Sequence, residues 1–261
     1  MSERDTYAPG TPSWVDLGTP DPAAAATFYG ALFDWDIQEG PPEAGGYRMC
    51  LLRGRPVAGL GPSQAEGMPP WWTTYVAVSS ADETAAAISA NGGTVLVPPM
   101  DVLDVGRMAV AADPFGAVFS VWQAGTHHGA GLVNEPGTLC WNELNTRHPV
   151  EHIAFYTAVF DWEAKRSEGP IDYIEFMLHG NSIGGMMEMG DMFPPEAPES
   201  WSVYFAVAEC DASAATVTEL GGRVLMGPTD IPPGRFAVCQ DPQGATFLIL
   251  ALTEEMSALP G

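Results

Sequence analysis

The chain repeats its own sequence once, in the same order, and this repeat constrains the fold more than any other feature. The segment WVDL, which begins at Trp14, returns 127 residues later as WNEL, and FYGALFDW from Phe28 returns at the same shift as FYTAVFDW. Near the end of each copy, GRMAVAADPFGAVF from Gly106 returns from Gly234 as GRFAVCQDPQGATF. Each copy spans about 110 residues, an ordinary size for a domain. We therefore expect two tandem copies of one domain.

The boundaries of the copies follow from where the repeat begins and ends. The stretch AGTHHGAGLVNEPG between them is rich in glycine, as linkers often are. The sequence predicts an N-terminal tail at 1–11, a first domain at 12–123, a linker at 124–138, a second domain at 139–252 and a C-terminal tail at 253–261.

Each copy carries the same succession of local signals twice. A short apolar strand near Trp14 leads to Asp21 and Pro22, which are suited to the N-cap and first turn of a helix. Three short strand patterns follow, and then a second strand, helix and three strands. Asp113 opens a DPFG turn before the last strand. The pattern predicts an α+β fold with two βαβββ units in each domain.

Composition excludes several classes of partner. The chain has 33 acidic and 10 basic side chains, a formal net charge of −23, which repels nucleic-acid phosphates and anionic lipid. No apolar run is long enough to span a bilayer, and the first residues lack the pattern of a signal peptide. We expect a cytoplasmic monomer or homodimer whose partner is a small-molecule ligand, without nucleic acid or membrane.

The duplicated βαβββ order, the Gly-Gly after the second helix and the DPxG before the last strand resemble the vicinal-oxygen-chelate (VOC) superfamily. This superfamily includes glyoxalase I, extradiol dioxygenases and bleomycin-binding proteins. The resemblance implies that each domain forms a curved mixed sheet, a half-open cup. It also implies a divalent metal on the floor of the cup, held by His or Glu at four recurring places.

In this chain those four places carry few metal ligands. They fall on Asp16, Gly59, Thr73 and Ser120 in the first copy, and on Glu143, Gly185, Ser202 and Leu248 in the second. Because a transition-metal centre needs three or four protein ligands, one carboxylate per copy predicts a metal-free protein without a cofactor. One alternative stays open, in which Asp16 and Glu143 share a hard ion such as Mg²⁺ with water.

The two carboxylates are the candidate catalytic residues. Alternation along a strand places Asp16 on the same face as Trp14, and Glu143 repeats that position beside Trp141. A carboxylate in an aromatic concavity has a raised pKa and can act as general acid or base, or contact a ligand. In the alternative, the two carboxylates have a structural role and pair with Arg107 or Arg235. The candidate ligand-binding residues are Trp14, Trp141, Asn142, Tyr47, Thr73, Ser120, Ser202 and Tyr204.

The histidines are not expected to contribute to a site. His148 and His152 are four residues apart, as zinc ligands on a helix are, but His148 aligns with the capping Asp21 and no HExxH motif is present. Both are predicted to cap or to lie on the surface. His127 and His128 lie in the linker and are expected to be solvated.

Three classes of function remain. The first is a metal-free protein that binds a small aromatic or cationic organic molecule, in sequestration, resistance or natural-product metabolism. The second is an enzyme, such as a lyase, isomerase, hydrolase or oxygenase, that uses Asp16 or Glu143 as acid, base or weak metal ligand. The third is a structural or interaction protein, which a pocketless cup would favour.

Overall fold

The computed structural model describes residues 2–63, 67–167, 173–191 and 193–253, and contains two eight-stranded sheets and four α-helices in those ranges. After the short strand β1 (Ser2–Glu3), the first copy contains β2 (Pro12–Thr19), α1 (Pro22–Phe33), β3 (Asp36–Glu39), β4 (Arg48–Leu52), β5 (Arg55–Pro62), β6 (Trp71–Ala77), α2 (Ala81–Ala90), β7 (Thr94–Val102), β8 (Gly106–Ala112) and β9 (Val118–Ala124). After β10 (Leu132–Val133), the second copy contains β11 (Leu139–Thr146), α3 (Pro149–Phe160), β12 (Glu163–Arg166), β13 (Tyr173–Leu178), β14 (Asn181–Glu188), β15 (Ser200–Ala206), α4 (Cys210–Glu219), β16 (Arg223–Ile231), β17 (Gly234–Gln240) and β18 (Thr246–Leu252).

The two sheets have the same strand order. It is β3-β4-β5-β2-β6-β9-β8-β7 in the first and β12-β13-β14-β11-β15-β18-β17-β16 in the second. Each βαβββ unit supplies four neighbouring strands, and the units meet where β2 pairs antiparallel with β6 and β11 with β15. The predicted α+β class and the two βαβββ units in each copy are confirmed. No helix in the described ranges is long and apolar enough to cross a membrane.

The helices of the first copy begin where the sequence signals place them. Asp21 is the N-cap of α1, and its carboxylate accepts hydrogen bonds from the backbone N–H groups of Ala23 and Ala24. Ser80 caps α2 by accepting from the N–H of Glu83. Short apolar strands with capped helices between them are therefore specified locally, before any contact between the two copies forms.

The two largest hydrophobic clusters each contain residues of both copies. The first joins Phe28 and Phe33 of α1 to Phe205 and Phe247 of the second sheet. The second core is its counterpart, in which α3 packs with α2 and with Phe119 of the first sheet. The helix-bearing faces of the two sheets therefore pack against each other. The opposite, concave faces, which carry Asp16 and Glu143, therefore point away from each other, and the linker residues Ala130 and Val133 pack against Trp14 on the first of them.

The repeated aromatic motifs connect the two copies by hydrogen bonds. Trp72 Nε1 donates to the hydroxyl of Tyr29 at 3.1 Å, and that hydroxyl donates to Asp241 Oδ2 of the other copy at 3.1 Å. The second relay runs from Trp201 to Tyr156 to Asp113, with both distances 2.9 Å. The aspartate of each DPxG turn thus joins the domains, besides organising its own turn.

The second of these junctions also contains a buried histidine, and here the sequence prediction was wrong. His152 is fully buried on α3, and its Nε2 lies 2.8 Å from Asp113 Oδ2 and 3.6 Å from Glu199 Oε2. His148 is the N-cap residue of α3, but its side chain makes no capping bond and contacts Glu199 at 2.6 Å instead. In the first copy the position of His152 is Ala25, so this acid–imidazole cluster breaks the pseudo-symmetry.

The linker packs against the first domain. Its strand β10 pairs antiparallel with β1, and Ala130 and Leu132 are buried. The ring of His127 lies edge-on to Trp14 with centroids 4.5 Å apart, so His127 is not solvated as expected. Burial lowers its pKa to about 4.

Candidate active site on the concave faces

The first candidate site lies at the centre of the first concave face, where β2 pairs with β6. Trp14 is opposite Tyr75 and Asp16 is opposite Thr73 in this antiparallel pair, so the four side chains share one face. On the other side of β2, Asp16 is aligned with Gly59 of the parallel strand β5. Strand alternation thus brings together residues from three strands around one carboxylate.

Two phenols surround the Asp16 carboxylate. The Tyr75 hydroxyl donates to Oδ2 at 2.8 Å, and the Tyr47 hydroxyl lies 3.4 Å from the same oxygen. Trp14 Nε1 donates to the Tyr47 hydroxyl at 3.0 Å and so orients it. Burial raises the pKa of Asp16 to about 6, although the hydrogen bonds from Tyr75 and Tyr47 lower it.

The second copy repeats this arrangement around Glu143, with a deeper carboxylate. Glu143 is 6% exposed and accepts from the Tyr204 hydroxyl at 2.9 Å. Trp141 Nε1 donates at 2.7 Å to the hydroxyl of Tyr173, which lies beside the Glu143 carboxylate. Burial raises the pKa of Glu143 to about 7, with Tyr204 and Tyr173 lowering it. A group with this pKa exchanges its proton readily at neutral pH.

The two arginines proposed as partners of Asp16 and Glu143 pair with other carboxylates. Arg107 binds Asp82 and Asp101 in the first copy. Its counterpart Arg235 binds Asp211 and Asp230 in the second. The alternative role considered from the sequence, a structural ion pair for Asp16 and Glu143, is therefore wrong.

Glycine is required next to each carboxylate because a tyrosine hydroxyl fills the space of its side chain. A Cβ on Gly59 would overlap the hydroxyl of Tyr47, and a Cβ on Gly185 would overlap that of Tyr173. Both glycines occupy places where the VOC resemblance expects a metal ligand. In this chain a tyrosine hydroxyl takes that space. It belongs to Tyr47, just before β4, in the first copy and to Tyr173, on β13, in the second.

We predict that Gly185→Ala displaces the Tyr173 phenol from its position beside Glu143. Overpacking of this kind costs about 1–3 kcal/mol of unfolding free energy, which chemical denaturation measures. The control substitution needs a nearby glycine with ordinary backbone angles, which excludes Gly180 with its positive φ of 81°. Gly184→Ala is better matched, since it lies on the same strand and its Cβ would meet only the Asn142 carbonyl oxygen at 3.1 Å. Equal losses in both variants would contradict the proposed role of the Tyr173 hydroxyl.

The residues at the four traditional places do not fit a transition-metal centre. Each copy offers one carboxylate, already bonded to phenols, beside a glycine and a hydroxyl residue. Within the described part of the chain, no group of three or more His, Cys, Asp or Glu side chains is placed to hold a metal ion. Asp16 and Glu143 lie on different sheets whose concave faces point away from each other, which argues against one shared Mg²⁺.

The remaining predicted ligand-binding residues divide into two groups. Trp14, Tyr47 and Thr73 accompany Asp16, and Trp141, Ser202 and Tyr204 accompany Glu143. Ser120 is fully buried and aligned with Tyr75 of the neighbouring strand. Asn142 is a correction: it is 2% exposed on the opposite face and accepts from Thr74 Oγ1 at 2.7 Å, between the two sheets.

Sequence reasoning missed three residues of these sites. Tyr75 and Tyr173 complete the two phenol pairs. The repeat was a signal for both, because Tyr75 is the counterpart of Tyr204 and Tyr173 is the counterpart of Tyr47. Asn145 lies two residues after Glu143 on β11 and therefore shares its face. Its counterpart in the first copy is Gly18, so the repeat gave no signal for it.

Two surface cavities lie away from both carboxylates. One is lined by the DPQG turn and its neighbours Gly221, Arg223 and Gln240. The other is lined by residues around Arg107 and Leu103 at the end of the first sheet. The carboxylate–phenol clusters, in contrast, combine buried, ionisable groups with aromatic side chains, which is typical of functional sites.

Comparisons with known proteins agree with this architecture. Residues 11–121 match the family described as the glyoxalase/bleomycin resistance protein/dioxygenase superfamily, and residues 141–250 match a glyoxalase-like domain. "Putative glyoxylase CFP32" of Mycobacterium tuberculosis is 44% identical over 96% of this chain and 98% of its own length. "Anthracycline biosynthesis protein DnrV" of Streptomyces peucetius is 38% identical over 98% of each chain.

Solved structures show the same fold at low sequence identity. The Mn(II)-bound glyoxalase from Novosphingobium aromaticivorans has a TM-score of 0.66 at 16% identity, over 93% of this chain and 82% of that one. The 2,3-dioxygenase LapB from Pseudomonas sp. KL28 has a TM-score of 0.62 at 14% identity, over 92% and 91%. The chain therefore belongs to the VOC superfamily, as a tandem of two glyoxalase-like domains.

Proposed function

We propose that this protein binds a small planar aromatic molecule in its concave cups without a transition metal, in natural-product metabolism or resistance. The observation that carries the proposal is the duplicated cluster of one carboxylate, two tyrosines and one tryptophan. Aromatic surface provides the apolar contact that a planar ligand needs, and a carboxylate among phenols provides directed hydrogen bonding.

The chemistry of the cluster favours ligands with donor groups. A carboxylate with a pKa of about 6 or 7 accepts a hydrogen bond from a phenol or a cation when it is ionised. The net charge of −23 attracts cationic molecules and repels anionic ones. The relatives named for anthracycline biosynthesis support this class, since anthracyclines contain a planar hydroxyanthraquinone.

The proposal is tested with 2-hydroxyanthraquinone, a neutral planar phenol, by quenching of tryptophan fluorescence. We expect Glu143→Gln and Asp16→Asn each to weaken binding at the altered cup by about ten- to a hundredfold, because a hydrogen bond to a charged group contributes about 1.5–3 kcal/mol. Glu196→Gln, which also removes one acidic group outside the two clusters, is the control for overall charge. Unchanged affinity in both cup variants would contradict the proposal.

A second candidate function is proton-transfer catalysis by Glu143. The specific observation in its favour is the pKa of about 7, which suits a general base at neutral pH. A relative named as a glyoxylase makes the adduct of methylglyoxal with a thiol the first substrate to assay. If Glu143 is the base, the rate rises with pH through about 7 and this dependence disappears in Glu143→Gln. Binding without turnover favours the first function.

A further inference from the structure

Asn145 carries an unusual buried amide on the concave face of the second domain. It is 5% exposed, and its Nδ2 donates to Ser202 Oγ at 2.9 Å. Its Oδ1 is buried and has no hydrogen-bond partner. Buried polar atoms are almost always paired, so an unpaired carbonyl oxygen beside a candidate site needs an explanation.

The first domain carries no side-chain amide at the position equivalent to Asn145. Its counterpart is Gly18, and a Cβ built there meets no atom within 4 Å, so the first cup leaves open space at this position. The residue paired with Gly18 across the strands is Trp71, whereas Ser200 faces Asn145. The two cups therefore share the carboxylate–phenol cluster but differ in the residue beside it, aromatic and open in one, amide-bearing in the other.

The hydrogen bond to Ser202 engages the amide nitrogen of Asn145. Because Nδ2 is engaged by Ser202, the carbonyl oxygen is the free atom, and a carbonyl oxygen accepts hydrogen bonds. Glu143, two residues earlier on the same face, is a second acceptor. Two acceptors side by side on one strand call for a ligand that brings a donor to them.

We infer that Asn145 is a specificity-determining residue of the second cup, which selects planar ligands bearing a hydroxyl group by accepting that hydroxyl's hydrogen bond at Oδ1. The inference rests on the proposed function, because it assigns a role within the same ligand site. Ser202 acts as the positioning residue. The first cup, with Gly18, does not distinguish a hydroxyl from its methyl ether at this position.

The test compares 2-hydroxyanthraquinone with 2-methoxyanthraquinone, which keeps the ring and the carbonyl groups but loses the donor. Titrations use the Asp16→Asn background, in which binding to the first cup is weakened. We expect the second cup to prefer the hydroxyl compound by about tenfold and Asn145→Leu to reduce this preference to about threefold or less. Ser202→Ala, which frees the amide to rotate, should reduce it partly. Asn181→Leu, at an exposed strand end, is the matched control and should retain it.

The outcomes separate this inference from the proposed function. If neither compound binds to any of the proteins, the proposed function fails and the inference fails with it. If both compounds bind and the preference survives in Asn145→Leu, the ligand site stands and the role of Asn145 is wrong. If Asn145→Leu does not fold, the result with Ser202→Ala decides: an unchanged preference there overturns the inference.

Discussion

Replacing Asp113 with alanine is expected to lower the free energy of unfolding by about 3–5 kcal/mol at pH 6. One oxygen of this carboxylate accepts from the backbone N–H groups of Phe115 and Ala117. The other binds the Tyr156 hydroxyl and His152 Nε2 of the second domain. The substitution therefore leaves several buried groups unpaired at once, and chemical denaturation measures the loss.

The pseudo-symmetry supplies a matched control for the histidine contribution. Asp241 organises the equivalent turn and accepts from Tyr29, but Ala25 takes the place of His152.

Burial alone lowers the pKa of His152, but hydrogen bonding and charge from Asp113 raise it above its usual 6.5. A raised histidine pKa contributes stability that is complete below pH 6.5 and is lost as pH rises through the folded-state pKa. Asp113→Ala should thus cost more than Asp241→Ala at pH 6, and this excess should shrink by pH 9. An excess that does not change with pH would contradict the charged pair.

Glu143→Gln is expected to stabilise the protein at pH 8 by up to about 3 kcal/mol, although it weakens ligand binding. Burial raises the pKa of Glu143 from 4.5 to about 7, so the folded protein holds this proton more tightly than the unfolded chain. The ionised group therefore costs nothing below pH 4.5, and the cost grows until the pH passes about 7. Glutamine keeps the shape and the acceptor oxygen without this cost.

Thermal and denaturant unfolding at pH 4.5 and pH 8 tests this sign. The gain should be present at pH 8 and absent at pH 4.5. Asp16→Asn is the comparison, because Asp16 is only partly buried and its pKa is raised to about 6, so its gain should be smaller. A loss of stability at pH 8 with Glu143→Gln would show that the ionised carboxylate is stabilising in the folded state.

Much of the fold could be predicted because its determinants are local and duplicated. In the first copy, Asp21 and Ser80 cap the helices that follow the first strand of each unit, and in both copies a DPxG turn precedes the last strand. Alternation along β2 and β11 was enough to place Asp16 beside Trp14 and Glu143 beside Trp141. These inferences use only neighbours within one element or one strand pair.

The parts that could not be predicted depend on contacts between distant elements. The hydroxyl of Tyr47 fills the space left by Gly59, but strand register decides this, not residue type. His152 is buried because α3 packs against the first domain's DPFG turn, and Asn142 because β11 faces β6 of the other sheet. A sequence pattern within one copy does not predict which residues lie at the interface between the two copies.

The most direct test of a metal-free binding cup measures metal content and ligand affinity on the same sample. The protein is dialysed against EDTA, analysed for metals by mass spectrometry, and titrated with 2-hydroxyanthraquinone. We predict that the chelated protein binds the probe as tightly as the untreated protein, and that the Asp16→Asn, Glu143→Gln double variant binds it about ten- to a hundredfold more weakly. Stoichiometric zinc, iron, nickel or manganese in the untreated protein, absent from Glu143→Gln and needed for binding, would contradict the account.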